Sequence, residues 1–217
     1  AQGVNPYEIL AITFTNKAAK EMKSRVEGLV GDVANRIWLS TFHSFCAKFL
    51  RFELDNFLGY NSNFTIYDTS DSQVVIKAAL KALNLDDKYY PVGVMISAIS
   101  DAKNKLMFAS DYRKQARDFY QQKVADVYEY YERELRKNNA LDFDDLLLVA
   151  VKLLQSNAAV LDKYSKRFKY VMIDEYQDTN HAQYLLAYLL SSHWKNIAVV
   201  GDADQSIYAW RGADIQN

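Results

Sequence analysis

Residues Lys169 to Asn180 read KYVMIDEYQDTN, an apolar run halted by two adjacent acids. A second stretch, Asn196 to Asp214, reads NIAVVGDADQSIYAWRGAD: an apolar run stopped by Gly201-Asp202, with Gln205 shortly after. Short apolar runs bounded by polar turns read as buried parallel strands. In open α/β sheets, function concentrates just beyond the carboxyl ends of such strands. Both stretches put acids or amides there, and together they decide an α/β reading of the chain.

The same alternation extends outward. Ile9 to Phe14 (ILAITF) reads as a strand, followed by the helix-capping residues Thr15 and Asn16. Ala18, Met22, Val26 and Leu29 then fall on one face at helical spacing, and Gly31 is a stop. Ile37 to Leu39 reads as a further strand, leading through Ser40 and Thr41 into a helix that buries Phe42, Phe45, Cys46, Phe49 and Leu50. From about Thr65 to Gln155 the character changes. Asp68–Asn84, Pro91–Lys105, Ser110–Lys137 and Asp142–Gln155 all read as helices, with no strand among them. The third places Ala116, Phe119 or Tyr120, Val124, Val127, Tyr131 and Leu135 at three- and four-residue steps. An α/β layout interrupted in this way implies a parallel-sheet domain, residues 1–64 and 146–217, with an all-helical subdomain inserted at 65–145.

Composition narrows the function classes. The chain has 217 residues, half of them hydrophobic, with only seven glycines and two prolines. That suits a helix-rich fold with a sizeable core. Lys plus Arg number 26 against 27 Asp plus Glu, so the net charge is -1. Such a balance excludes a protein that coats DNA by bulk attraction; any nucleic-acid grip rests on local geometry and stacking. Cys46 is the only cysteine, which rules out an internal disulfide framework and fits a reducing, cytoplasmic setting. His43, His181 and His193 lack metal-ligand spacing, so no zinc site is expected. No apolar run reaches membrane-spanning length, and no signal-peptide pattern is present.

Two adjacent carboxylates serve one site only where a strand ends, because successive strand residues point to opposite faces. Asp174 and Glu175 stand at such an end. The first acid can hold a nucleotide's magnesium, and the second can orient and polarise an attacking water. The dipeptide alone also reads as a solvated strand end; the longer string DEYQDTN is what narrows it. Gln177 can hydrogen-bond a phosphate or a neighbouring loop, and Asn180 can cap the next helix. Gln205 is placed to touch a terminal phosphate without adding charge. Tyr208, Trp210 and Arg211 follow it, and two rings beside a guanidinium suit stacking on unpaired bases. Phe14, Thr15, Asn16 and Lys17 close a strand and open a helix, where N–H groups attract phosphate; a plain helix cap is the alternative. His43 within STFHSF is similarly ambiguous, and a lone histidine near an aromatic face is usually structural. The acidic start Asp142-Phe143-Asp144-Asp145 suits the helix dipole without further chemistry, and the charge-rich stretch from Lys103 to Lys137 reads as a solvated face.

Taken together, ILAITFTNKAAKEM from Ile9, STFHSF from Ser40, LDFDDLL from Leu141, IDEYQDTN from Ile173 and VVGDADQSIYAWRGADIQN from Val199 resemble the UvrD/Rep/PcrA-type superfamily 1 DNA helicases over essentially the whole chain. The resemblance implies a RecA-like (P-loop NTPase) domain with its helical insertion, and 3′-to-5′ movement on single-stranded DNA coupled to ATP hydrolysis and duplex unwinding. It implies ATP and Mg²⁺ as cofactors and single-stranded DNA and a single/double-strand junction as partners. It would make Asp174 the Mg²⁺ acid, Glu175 the water-activating base and Gln205 a γ-phosphate contact. Phe14, Tyr208 and Trp210 would line base pockets, with Thr15, Asn16, Lys17, His43 and Arg211 near the DNA backbone. No GxxxxGK[ST] string occurs in the sequence. The expectation is therefore a piece of a longer motor that lacks its phosphate loop, a central strand and the second motor domain, and is inactive alone. A non-catalytic DNA- or protein-binding module is the alternative.

Overall fold

The structure, a computed structural model, describes residues 3–202. In chain order its regular elements are β1 (Ile9–Thr13), α1 (Asn16–Val30), β2 (Trp38–Thr41), α2 (Phe42–Glu53), β3 (Thr65–Tyr67), α3 (Thr69–Ala82), α4 (Val92–Asn104), α5 (Ala109–Gln115), α6 (Phe119–Lys137), β4 (Ala140–Asp142), α7 (Phe143–Ser156), α8 (Ala158–Arg167), β5 (Tyr170–Ile173), α9 (His181–Ser191) and β6 (Ile197–Val199). The chain divides into two compact units, one made by the chain up to Phe49 and from Ala150 on, the other by Leu50–Val149. Both divisions fall inside helices, α2 and α7.

The first unit holds a four-stranded sheet in the order β2-β1-β5-β6, parallel throughout. Its register pairs Ile12 with Ser40 on one side and with Ile173 on the other. Leu10, Ile12, Val171 and Ile173 are buried and share one face of the sheet, and rings from β2, α2 and α8 pack together in the same unit. There Trp38 lies 5.1 Å from Phe45, and Phe49 lies 4.8 Å from Tyr164. Cys46 sits in the same layer, and burial pushes its thiol pKa up, which keeps it protonated and unreactive. The other face is barer. Tyr170 and Met172 are exposed, and Leu29, expected on the buried side of α1, is 84% exposed.

A sheet lacking a central strand was the expectation. The four described strands pair without a gap, with β2 and β6 at the two edges among the described residues. Ile197, Val199 and Val200 are all exposed at the β6 edge. An apolar edge strand of this kind is one that further structure normally covers.

The second unit packs α3, α4 and α6 around Ile76, Met95, Ile99, Val127, Tyr128 and Leu135. Its character is helical as expected, with two corrections, and a third falls in the first unit. First, β3 and β4 form a short parallel pair, so the block is not free of strands. Second, the helix expected over Ser110–Lys137 is two: Ala116 turns extended, and Asp118 starts a new helix by accepting the Gln121 N–H at 2.7 Å. Third, α8, in the first unit, was not expected; Asn157 caps it by accepting from Ala159 N and Val160 N.

The acidic start of α7 also differs from expectation. Asp142 and Asp145 are buried, and so is Lys103, which is 2% exposed and not on a solvated face. Lys103 Nζ lies 2.6 Å from Asp142 Oδ2 and 2.7 Å from Asp145 Oδ1. Tyr131 donates to the same Asp142 oxygen at 2.8 Å. Burial and the Asp142 charge push Asp145 up to about 7, and push Asp144 up to about 6. Burial alone would depress Lys103, but the two carboxylates outweigh it and hold its pKa well above the ordinary value.

Candidate nucleotide and nucleic-acid site

Because the sheet is parallel, every strand delivers its carboxyl end to one edge, and the residues singled out from sequence collect there. β5 ends at Ile173, and Asp174 N still donates to Ile12 O at 2.9 Å. Glu175 then takes up a left-handed backbone, with φ 54. This region costs a non-glycine residue roughly 1–2 kcal/mol, and here it breaks the alternation of the strand. A tight 3-10 turn, Tyr176–Asp178, follows, and Asn180 caps α9 through a reciprocal pair with Gln183, both bonds at 2.9 Å.

Gln177 is the residue that organises this turn. Its Nε2 donates to Glu175 Oε2 at 2.6 Å, and its Oε1 accepts from Asp202 N at 3.0 Å. Tyr176 N donates to Val200 O at 2.9 Å beside it. The turn after β5 and the turn after β6 are thus one bonded assembly. Gln177 engages the neighbouring loop, one of the two partners open to it from sequence. One carboxylate of the acidic pair is held by the amide. For Asp174 no side-chain hydrogen bond is seen among the described residues.

Sequence reasoning missed why a glycine stands at 201. A Cβ there would lie 2.5 Å from Gln177 Oε1 and 3.2 Å from the backbone nitrogens of Tyr176 and Gln177. Gly201→Ala is therefore expected to expel the Gln177 amide, break its bond to Asp202 and release Glu175. The cost is about 1–3 kcal/mol of stability, as for other overpacked sites. Thermal unfolding checks this, and hydrogen exchange at Tyr176 and Asp202 should quicken. Adding Gln177→Ala should return part of the loss, because the shortest clash is then gone.

The carboxyl ends of β1 and β2 adjoin the same edge, with Thr13 paired to Thr41. Thr15 caps α1, accepting from Ala18 N at 3.1 Å, so Asn16 and Lys17 form its first turn. Phe14 packs edge-on to Phe42 at 6.3 Å, and His43 lies in the first turn of α2. Phe14, Thr15, Asn16, Lys17 and His43 therefore gather at one end of the sheet, at the starts of two neighbouring helices. Gln205, Tyr208, Trp210 and Arg211 lie outside the described residues. No cluster of three or more His, Cys, Asp or Glu side chains suited to a metal occurs among the described residues. A magnesium ion carried in with a nucleotide fits this, since Mg²⁺ commonly takes one or two carboxylates and fills its other positions with phosphate and water.

A RecA-like parallel sheet with acids at its strand ends defines a nucleotide-handling class of protein. Residues 1–217 match the UvrD/REP helicase N-terminal domain, and the chain belongs to that family. The ATP-dependent DNA helicases PcrA of Staphylococcus epidermidis and Staphylococcus aureus are each 54% identical to it over 214 residues, 99% of this chain. The chain spans 29% of the length of these relatives. No helix among the described residues is long and apolar enough to cross a membrane.

Proposed function

We propose that this chain supplies the first motor unit of a longer ATP-dependent DNA helicase, one that couples ATP hydrolysis to 3′-to-5′ movement on single-stranded DNA and to duplex unwinding at a junction. The observation that carries the reading is the acidic pair at the end of β5, bonded through Gln177 to the turn after β6. Bound ATP with its Mg²⁺ would supply the phosphoryl group and most of the charge neutralisation. Asp174 would hold the cation. Glu175, its carboxylate kept in place by the Gln177 amide, would orient a water and accept its proton. Because Gln177 also holds Asp202, any shift of the acidic turn reaches the turn after β6. We assign Gln205 to the terminal phosphate and Tyr208, Trp210 and Arg211 to the DNA strand, beside Phe14, Thr15, Asn16, Lys17 and His43. The insertion at 65–145 would serve the duplex side.

The 54% identity to the PcrA helicases supports this reading, as does the exposed apolar edge at β6, which would accept a further strand. The chain alone, without GxxxxGK[ST], would not turn over ATP. A protein of the relatives' full length carrying this segment should hydrolyse ATP faster when single-stranded DNA is added, and the 217-residue chain should not. ATP turnover by the isolated chain would overturn the division of labour, and a full-length rate indifferent to DNA would overturn the motor reading.

A further inference from the structure

We infer that Thr13 is a positioning residue for Asp174, its hydroxyl steering the carboxylate that would hold the nucleotide's divalent cation. The inference rests on the assignment of Asp174 made above. Ala11 pairs with Met172 and Ile12 with Ile173 in the parallel ladder, and Asp174 N continues it by donating to Ile12 O. One step further along the ladder, Thr13 stands level with Asp174. Both lie two residues beyond the pair Ala11 and Met172, so their side chains leave the same face of the sheet.

Thr13 is 0% exposed, yet its Oγ1 has no hydrogen-bond partner among the described residues. A buried hydroxyl left unpaired is destabilising. Its other neighbour in register, Thr41, differs: that hydroxyl donates to Ser44 Oγ at 2.9 Å and accepts from Ser44 N at 3.2 Å. Thr41 thus uses its oxygen to start α2, whereas the Thr13 oxygen meets no partner among the described residues. A valine would fill the same space with the same branching and no penalty, so packing does not account for the oxygen.

The acidic pair shows the matching need. Glu175 is held by Gln177, while Asp174 has no such partner among the described residues. Groups that hydrogen-bond a metal-holding carboxylate fix its orientation, and losing one commonly weakens metal affinity by about 10–100-fold. A buried hydroxyl donor level with Asp174 in the ladder, not bonded to it in this structure, meets that need. The hydroxyl hydrogen is free to rotate toward whichever acceptor arrives.

The test uses the full-length protein and a fluorescent ATP analogue, reading the magnesium concentration at half-saturation of nucleotide binding. Thr13→Val is expected to raise that midpoint about tenfold and to raise the melting temperature slightly, since the unpaired oxygen is gone. Thr13→Ser should keep the wild-type midpoint. In an Asp174→Asn background Thr13→Val should add nothing. A T13V midpoint within about twofold of wild type, alongside a clear shift in D174N, would overturn the role of Thr13 while leaving Asp174 in place. A D174N midpoint equal to wild type would instead remove Asp174 as the cation's acid, and Thr13 with it. Should T13V fail to fold, Thr13→Cys removes the oxygen within nearly the same volume and supports the same comparison.

Discussion

Replacing Lys103 by Met is expected to cost the second unit about 3–5 kcal/mol, the usual penalty for removing one partner of a buried ion pair. The ammonium is 2% exposed and lies within 2.7 Å of two carboxylates, which are themselves buried. Met keeps the length and apolar stem, so the loss reports charge rather than volume. What remains is two buried carboxylates with no cation between them: Asp142 accepts from Tyr131 and from Asp145 N, and Asp145 accepts only from Asp142 N. The loss should depend on pH, and the sign follows from the carboxylates. Burial and Asp142 already raise Asp145 to about 7, while Asp142 is held below its ordinary value against burial by Lys103 and its hydrogen bonds; without Lys103 both move upward. A carboxyl whose pKa is higher folded than unfolded stabilises the fold below the unfolded value, and that contribution is lost as pH rises through the folded value. K103M should therefore be closest to wild type near pH 5 and furthest from it near pH 8. Hydrogen exchange of the amides from Val124 to Leu135 reads the unit directly. Adding Asp142→Asn and Asp145→Asn should recover most of the loss; no recovery would show that Lys103 acts through packing alone.

That cluster also shows where reading by sequence pattern stops. A lysine and three aspartates, far apart in the chain, are individually ordinary as solvated charges and a helix-dipole cap. Only the fold brings α4 beneath the start of α7. The strands of the first unit were legible because each is an apolar run ended by a turn or cap: Thr15, Thr41 and Asn180 all cap where expected. β3 and β4 were not, since three residues carry no measurable period and both lie between strong helices. The single helix read over Ser110–Lys137 followed the apolar spacing past Asp118, a capping residue that the spacing does not register. At the site, Asp174 and Glu175 were legible as a strand end, but the dipeptide alone also read as a solvated end, and only the longer string DEYQDTN pointed to a site. Gln177 was legible only as a choice between two partners. Gly201 and Thr13 were not legible at all: the demand on each comes from a neighbour across the sheet, Gln177 for one and Asp174 for the other.

Glu175→Gln in the full-length protein is expected to lower DNA-stimulated ATP turnover by about a hundred- to ten-thousand-fold, the span associated with loss of a positioned general base. Nucleotide binding should change by no more than a few-fold. The separation of these effects follows from the turn. Gln177 Nε2 donates to Glu175 Oε2, and an amide oxygen at 175 still accepts that bond, so the link through Gln177 to Asp202 survives. The left-handed backbone at 175, with φ 54, is no worse for glutamine than for glutamate, so stability should hold. What the substitution removes is the ability to take a proton from water. Asp174→Asn provides the contrast: its deficit should appear in the magnesium dependence of binding, not in the chemical step alone. Single-turnover hydrolysis measured beside equilibrium binding distinguishes the two. An E175Q protein that keeps its turnover would exclude Glu175 from the chemistry, and the bonded turn would then be a structural tie between β5 and β6. An E175Q protein that loses both binding and turnover would mean that the two acids hold the cation jointly, with the water oriented from elsewhere.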